Sequence, residues 1–97
     1  MKAALLLLAG VCAAATAADV GTGSRVYATY CVGCHGATGE SLMPATPNFR
    51  RGEGLMKPDA MLLGALRHGG RAMPAFAGIL RDQEILDVIA YLRTLQR

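Results

Sequence analysis

The sequence predicts a small all-α domain. Two observations carry this: apolar residues recur at three- and four-residue steps in separate segments, and no segment sustains a period of two. A third sharpens it. Residues 36–56, "GATGESLMPATPNFRRGEGLM", hold four glycines and two prolines and read as one long loop. A small helical domain tolerates such a loop when something besides secondary structure organises it, as a bound cofactor would.

The 97-residue chain opens on an export signal. Lys2 precedes the apolar run "AALLLLAGVCAAA", and no further charge comes before Asp19. The run is short for a membrane span and ends in small residues, as a secretory leader does. Residues 1–17 are expected to be a signal peptide, with Ala15-Thr16-Ala17 ahead of the cut. A cut after residue 18, behind Thr16-Ala17-Ala18, obeys the same small-x-small rule; an uncleaved anchor is the alternative. Cys12 follows Val11 rather than a small residue, so it reads as part of the leader and not as a lipid attachment point. Residues 18–97 then form one exported domain. No second apolar span follows, so no stable membrane insertion is expected after signal cleavage, and the expected location is the bacterial periplasm.

The charge is modest. Ten Lys+Arg against seven Asp+Glu leave a net +3, one less once Lys2 is removed. That is too little to argue for a nucleic-acid partner. A domain of this size buries a small core and needs a staple.

Residues 21–34 form the first predicted helix, with Gly23, Tyr27, Tyr30 and Cys34 on one face. Residues 58–68, "PDAMLLGALRH", form the second. Pro58 suits its first turn, Asp59 suits the positive end of its dipole, and Gly69-Gly70 stop it. The segment "GGRAMPAFAG" is a loop. Residues 82–96 form the last helix, with Ile85, Val88, Ile89, Leu92 and Leu95 as the apolar stripe and Asp87, Thr94 and Arg97 opposite. Asp82 and Glu84 near its start and Arg93 and Arg97 near its end complement the dipole.

The chemistry is concentrated in "YCVGCHGATG", residues 30–39. Cys31, Cys34 and His35 admit four readings. A disulfide between cysteines three apart closes a tiny loop, removes little chain entropy and leaves His35 unexplained. Structural zinc needs four ligands, and the adjacent Cys34 and His35 point poorly at one tetrahedral ion even if His68 helps. A redox dithiol of the thioredoxin kind wants a strand-to-helix setting, which is missing. Covalently held haem uses every residue. The two thiols add to the porphyrin vinyl groups, and His35 turns its imidazole onto the iron. Haem also provides the staple, so one covalently attached haem c is the expected cofactor.

The sixth iron ligand decides the function. The candidates are Met43, Met56, Met61, Met73 and His68. Met61 lies inside a helix, where methionine packs cores. Met56 ends the long loop as a gap-filler, and Met43 has little chain with which to round the haem edge. His68 suits the negative end of a helix dipole. Met73 lies in the "RAMPAF" loop, which can cross the far face of a disc held at residues 31–35. Pro74 stiffens the chain beside its sulfur, and Phe76 can pack against the porphyrin edge.

The segments "GSRVYATYCVGCH", "PNF", "MPAFAG" and "EILDVIAYLRTL", in that order, resemble the class I c-type cytochromes, small monohaem electron carriers. The likeness covers nearly all of the chain after the leader. It implies the small cytochrome c fold, three or more helices wrapped around one haem. It implies that Gly23 lets the first and last helices cross closely, with Tyr27 and Tyr91 about the crossing. Pro47, with Pro44 as rival, takes the place of the loop proline whose carbonyl accepts the Nδ1 proton of the ligating histidine. Two features depart from the pattern. Arg81 stands where relatives carry a capping Ser or Thr, so Asp82 is expected to cap the last helix. No tryptophan is present, leaving Tyr30, Asn48, Arg50, Arg51 or Arg71 to bond the haem propionates.

The resemblance implies a one-electron carrier with Cys31 and Cys34 as thioethers and His35 and Met73 as axial ligands, not an enzyme. It implies larger redox proteins as partners, docking transiently at an exposed haem edge. Two other functions share the motif. One is an electron-transfer subunit of a periplasmic dehydrogenase or terminal oxidase. The other is a haem sensor or peroxidase with a labile sixth ligand.

Overall fold

The computed structural model describes residue 4 and residues 17–97. The leader expected over 1–17 therefore lies outside the described residues, apart from Ala4 and Ala17. Four α-helices follow: α1 Val20–Tyr30, α2 Val32–His35, α3 Asp59–His68 and α4 Asp82–Thr94, with a 3-10 turn at Phe49–Arg51. Among the described residues β pairing is limited to two isolated bridges, Gly70 with Met73 and Ala77 with Leu80. The first predicted helix is thus two, with Cys31 as a turn between α1 and α2.

α1 packs across α4, and the crossing has no room for a side chain at Gly23. A Cβ there would lie 2.0 Å from the Asp87 carbonyl oxygen and 2.9 Å from the Tyr91 Cβ. Tyr27 and Tyr91 flank the contact, their ring centroids 5.3 Å apart. Ile85, Val88, Ile89 and Leu92 of the α4 stripe are buried and join Val26, Leu66, Phe76 and Leu80 in one core. Leu95 packs at its edge.

Asp87 departs from the expected solvated face. Its side chain is buried and accepts hydrogen bonds from the Asp19 backbone N–H at 2.8 Å and Gln83 Nε2 at 3.0 Å. The helical wheel of α4 cannot show this, because the covering group comes from the start of α1. Asp82 does not cap α4. Arg81 occupies the N-cap, and Glu84 reaches back to its N–H at 3.1 Å, while Asp82 pairs with Arg67 of α3. Pro58 likewise occupies the N-cap of α3 rather than its first turn.

The long loop carries its own framework. Leu42 N–H bonds the Cys34 carbonyl and Phe49 N–H the Gly39 carbonyl, each at 2.9 Å. Phe49 and Leu55 are buried anchors. At its far end Arg93 clamps the chain, donating to the carbonyls of Leu55 (2.7 Å) and Lys57 (3.0 Å) and to Asp59 Oδ1 (2.7 Å). Asp59 and Arg93, each expected to serve a helix dipole, thus also tie α3 to α4. The result leaves α2, the 43–47 stretch and the 70–76 loop facing one cavity.

Candidate haem-binding site

The cavity has a volume of about 300 Å³, at the low end of ligand pockets, roughly 300–1,000 Å³. Cys31, Cys34 and His35 line it from α2 and the turn before it; Met73, Pro74 and Phe76 line it from the loop after α3. Tyr30, at the end of α1, meets Phe76 edge-on at 5.9 Å, joining the two walls. Cys31, Cys34, His35, Met73 and Phe76 therefore converge on one space.

Cys31 and Cys34 are free thiols. Cys31 is buried, and burial, helped by Cys34, pushes its thiol up to about 11. Cys34 is exposed at the rim. His35 is half-buried, and burial lowers its pKa below the ordinary imidazole value. The neutral ring, which is the ligand form, is thereby favoured at neutral pH.

The position of His35 has two sources. The α2 turn is closed by His35 N–H to the Cys31 carbonyl at 2.9 Å, and Tyr27 Oη donates to the Gly36 carbonyl. The ring then stacks on Phe49, with centroids 4.6 Å apart and planes 20° from parallel. Among the described residues His35 Nδ1 is buried without a hydrogen-bond partner. Pro44 and Pro47 both line the cavity, and the face of Phe49 lies against the ring. Phe49 of "PNF" is a site residue that the sequence alone does not mark. An aromatic two residues after the loop proline was the available signal.

The cavity also sorts the sixth-ligand candidates. Met56 and Met61 are 89% and 58% exposed, and neither they nor His68 line it. Met43 and Met73 do. Met43 sits on the rim of an irregular stretch, whereas Met73 packs against the core. Its loop is built: Gly70 and Met73 exchange backbone bonds at 3.0 and 2.9 Å, and Phe76 and Ala77 N–H groups bond the Leu66 and Arg67 carbonyls of α3. Arg71, within that turn, holds φ at 49°, a left-handed conformation that a non-glycine residue adopts at a cost of about 1–3 kcal/mol. Of the propionate candidates, Tyr30 and Arg71 line the cavity; Asn48, Arg50 and Arg51 do not.

Paired thiols, a neutral imidazole and a methionine thioether, around apolar walls, are a donor set suited to covalent haem. Known proteins agree. The profile of the family described as "Cytochrome C oxidase, cbb3-type, subunit III" matches residues 18–92. Cytochrome c6 of Thermosynechococcus vestitus is 38% identical over 93 residues, 92% of this chain and 81% of that protein. Cytochrome c6 of Thermostichus vulcanus is 37% identical over the same span. The chain belongs to the class I monohaem c-type cytochromes. The solved cytochrome c6 of the diatom Phaeodactylum tricornutum superposes with a TM-score of 0.67 at 28% identity, covering 78% of this chain and 92% of that one. As a c-type cytochrome, the protein carries one covalently attached haem c and transfers single electrons; it is not an enzyme.

Proposed function

We propose that Cys31 and Cys34 hold the haem as thioethers, and that His35 and Met73 are its two axial ligands. The carrying observation is the single cavity that collects the motif from α2 and the Met73 turn from beyond α3. When bound, the haem iron supplies a one-electron couple, and methionine ligation raises its potential. The chain does the rest. Phe49 sets the imidazole plane, the Gly70–Met73 turn presents the sulfur, and Tyr30 and Phe76 close the apolar wall. Tyr30 and Arg71 are the residues placed to bond the propionates.

The electron passes at the exposed rim beside Cys34. Tyr30 is 46% and Met43 38% exposed there, giving larger redox proteins a small patch for transient docking in the bacterial periplasm. Lys2 and the apolar run after it support that location.

The visible and far-red spectrum of the purified oxidised protein tests the assignment. A weak far-red band from an iron–sulfur bond, with sharp low-spin bands on reduction, is the expected result. A high-spin spectrum lacking that band would open the sixth position and favour a sensor or peroxidase.

A further inference from the structure

Asp87 is a buried carboxyl group, 4% exposed, with no cation paired to it among the described residues. Its two donors, the Asp19 backbone N–H and Gln83 Nε2, are both neutral. A buried carboxylate is costly unless a cation or a full set of hydrogen bonds compensates it. The donor at 2.8 Å is the Asp19 nitrogen. It follows Ala18, and Thr16 and Ala18 satisfy the small-x-small rule for leader cleavage at that bond.

We propose that the leader is cut between Ala18 and Asp19, and that the α-ammonium so created is the cation for Asp87. Hydrolysis places the hydroxyl of water on the Ala18 carbonyl carbon and its hydrogen on the Asp19 nitrogen; a solvent proton completes the ammonium. A leader peptidase of the export machinery catalyses the step on the extended, unfolded chain, and folding then docks the new terminus. Cutting after Ala17, the position the sequence alone favours, would leave an amide facing Asp87 and put the charge one residue away.

Local structure supports the docked terminus. Ala17, Ala18 and Asp19 are exposed, and α1 begins at Val20. Asp19 itself is extended, with φ −100° and ψ 107°, so its nitrogen stands just ahead of the helix. The positive end of the α1 dipole opposes an ammonium there. Two carboxylates answer it: Asp87, and the Asp19 side chain, which caps the Gly21 and Thr22 N–H groups at 2.9 and 3.4 Å.

The test uses the haem-loaded protein purified from an exporting host. Intact mass and N-terminal sequencing should show a chain beginning at Asp19. A chain beginning at Ala18, at any other residue, or with the leader retained would overturn the proposal. Pairing is tested by acetylating the α-amine of the denatured chain at mildly acidic pH, where it is unpaired and reacts ahead of lysine because its pKa is about two units or more lower, and then refolding. Acetylation should lower the folding equilibrium constant about tenfold, the scale of a lost charged hydrogen bond. The same treatment should change Asp87→Asn far less. Equal effects in both chains would overturn the pairing. Neither readout depends on which side chains bind the iron.

Discussion

The imidazole of His35 lies flat on the ring of Phe49, 4.6 Å away between centroids. Phe49 is buried and sits on the 3-10 turn of the long loop, so the loop places an aromatic face against the imidazole, whose Nδ1 has no hydrogen-bond partner among the described residues. Phe49→Leu should fold with a loss of about 1 kcal/mol, the scale of an aromatic pair beyond its buried area. It should also rotate the imidazole, shifting the low-spin electron paramagnetic resonance g-values of the oxidised protein. Unchanged g-values would reduce Phe49 to packing.

Met73 and Met43 share the cavity, so substitution separates them. Met73→Ala should abolish the far-red sulfur band and lower the reduction potential, while Met43→Ala leaves both in place. The reverse pattern would assign the sulfur to Met43.

Gly23 is where two backbones touch. Gly23→Ala forces a methyl to 2.0 Å from the Asp87 carbonyl oxygen, and backbone cannot swing away as a side chain would. Equilibrium denaturation should show a loss of about 3 kcal/mol, the upper end of overpacking costs. A loss within experimental error would mean that α1 and α4 cross further apart.

Tyr27 ties the crossing to the haem motif by donating to the Gly36 carbonyl. Burial first, and then Cys31 and Tyr91, push its phenol up to about 12, so it stays a donor over the working pH range. Tyr27→Phe keeps the ring and removes the donor. It should cost about 1 kcal/mol in chemical denaturation, with faster hydrogen exchange in α2. Unaltered exchange would show that the bond does not hold α2.

Asp19 makes stability pH-dependent. The Thr22 hydroxyl, then the Thr22 and Gly21 N–H groups, hold its pKa below the ordinary aspartate value. The unfolded chain therefore takes up the proton first as pH falls. The contribution is fully present above the unfolded value of about 3.9 and is lost as pH drops through the lower folded value. Melting curves between pH 5 and about 2 should fall less steeply for Asp19→Asn than for the native chain. Parallel curves would show that other carboxylates dominate.

Much of this protein is local and could be read along the chain. The Cys31-x-x-Cys34-His35 spacing is a property of neighbouring residues. So are the α4 stripe from Ile85 to Leu92 and the stop at Gly69, because periodicity and capping act within a few residues. The likeness of four ordered segments added the fold and the place of Met73.

Tertiary structure decided what depends on groups distant in sequence. Asp87 sits on the polar side of its own helix, yet the start of α1 covers it. Phe49 gained a role only when the loop folded back onto His35. Met43 and Met73 became cavity residues while Met56 and Met61 faced outward. The physical reason is common to all three. Burial and contact are set by how the elements pack, and packing is invisible to any rule that counts along one helix.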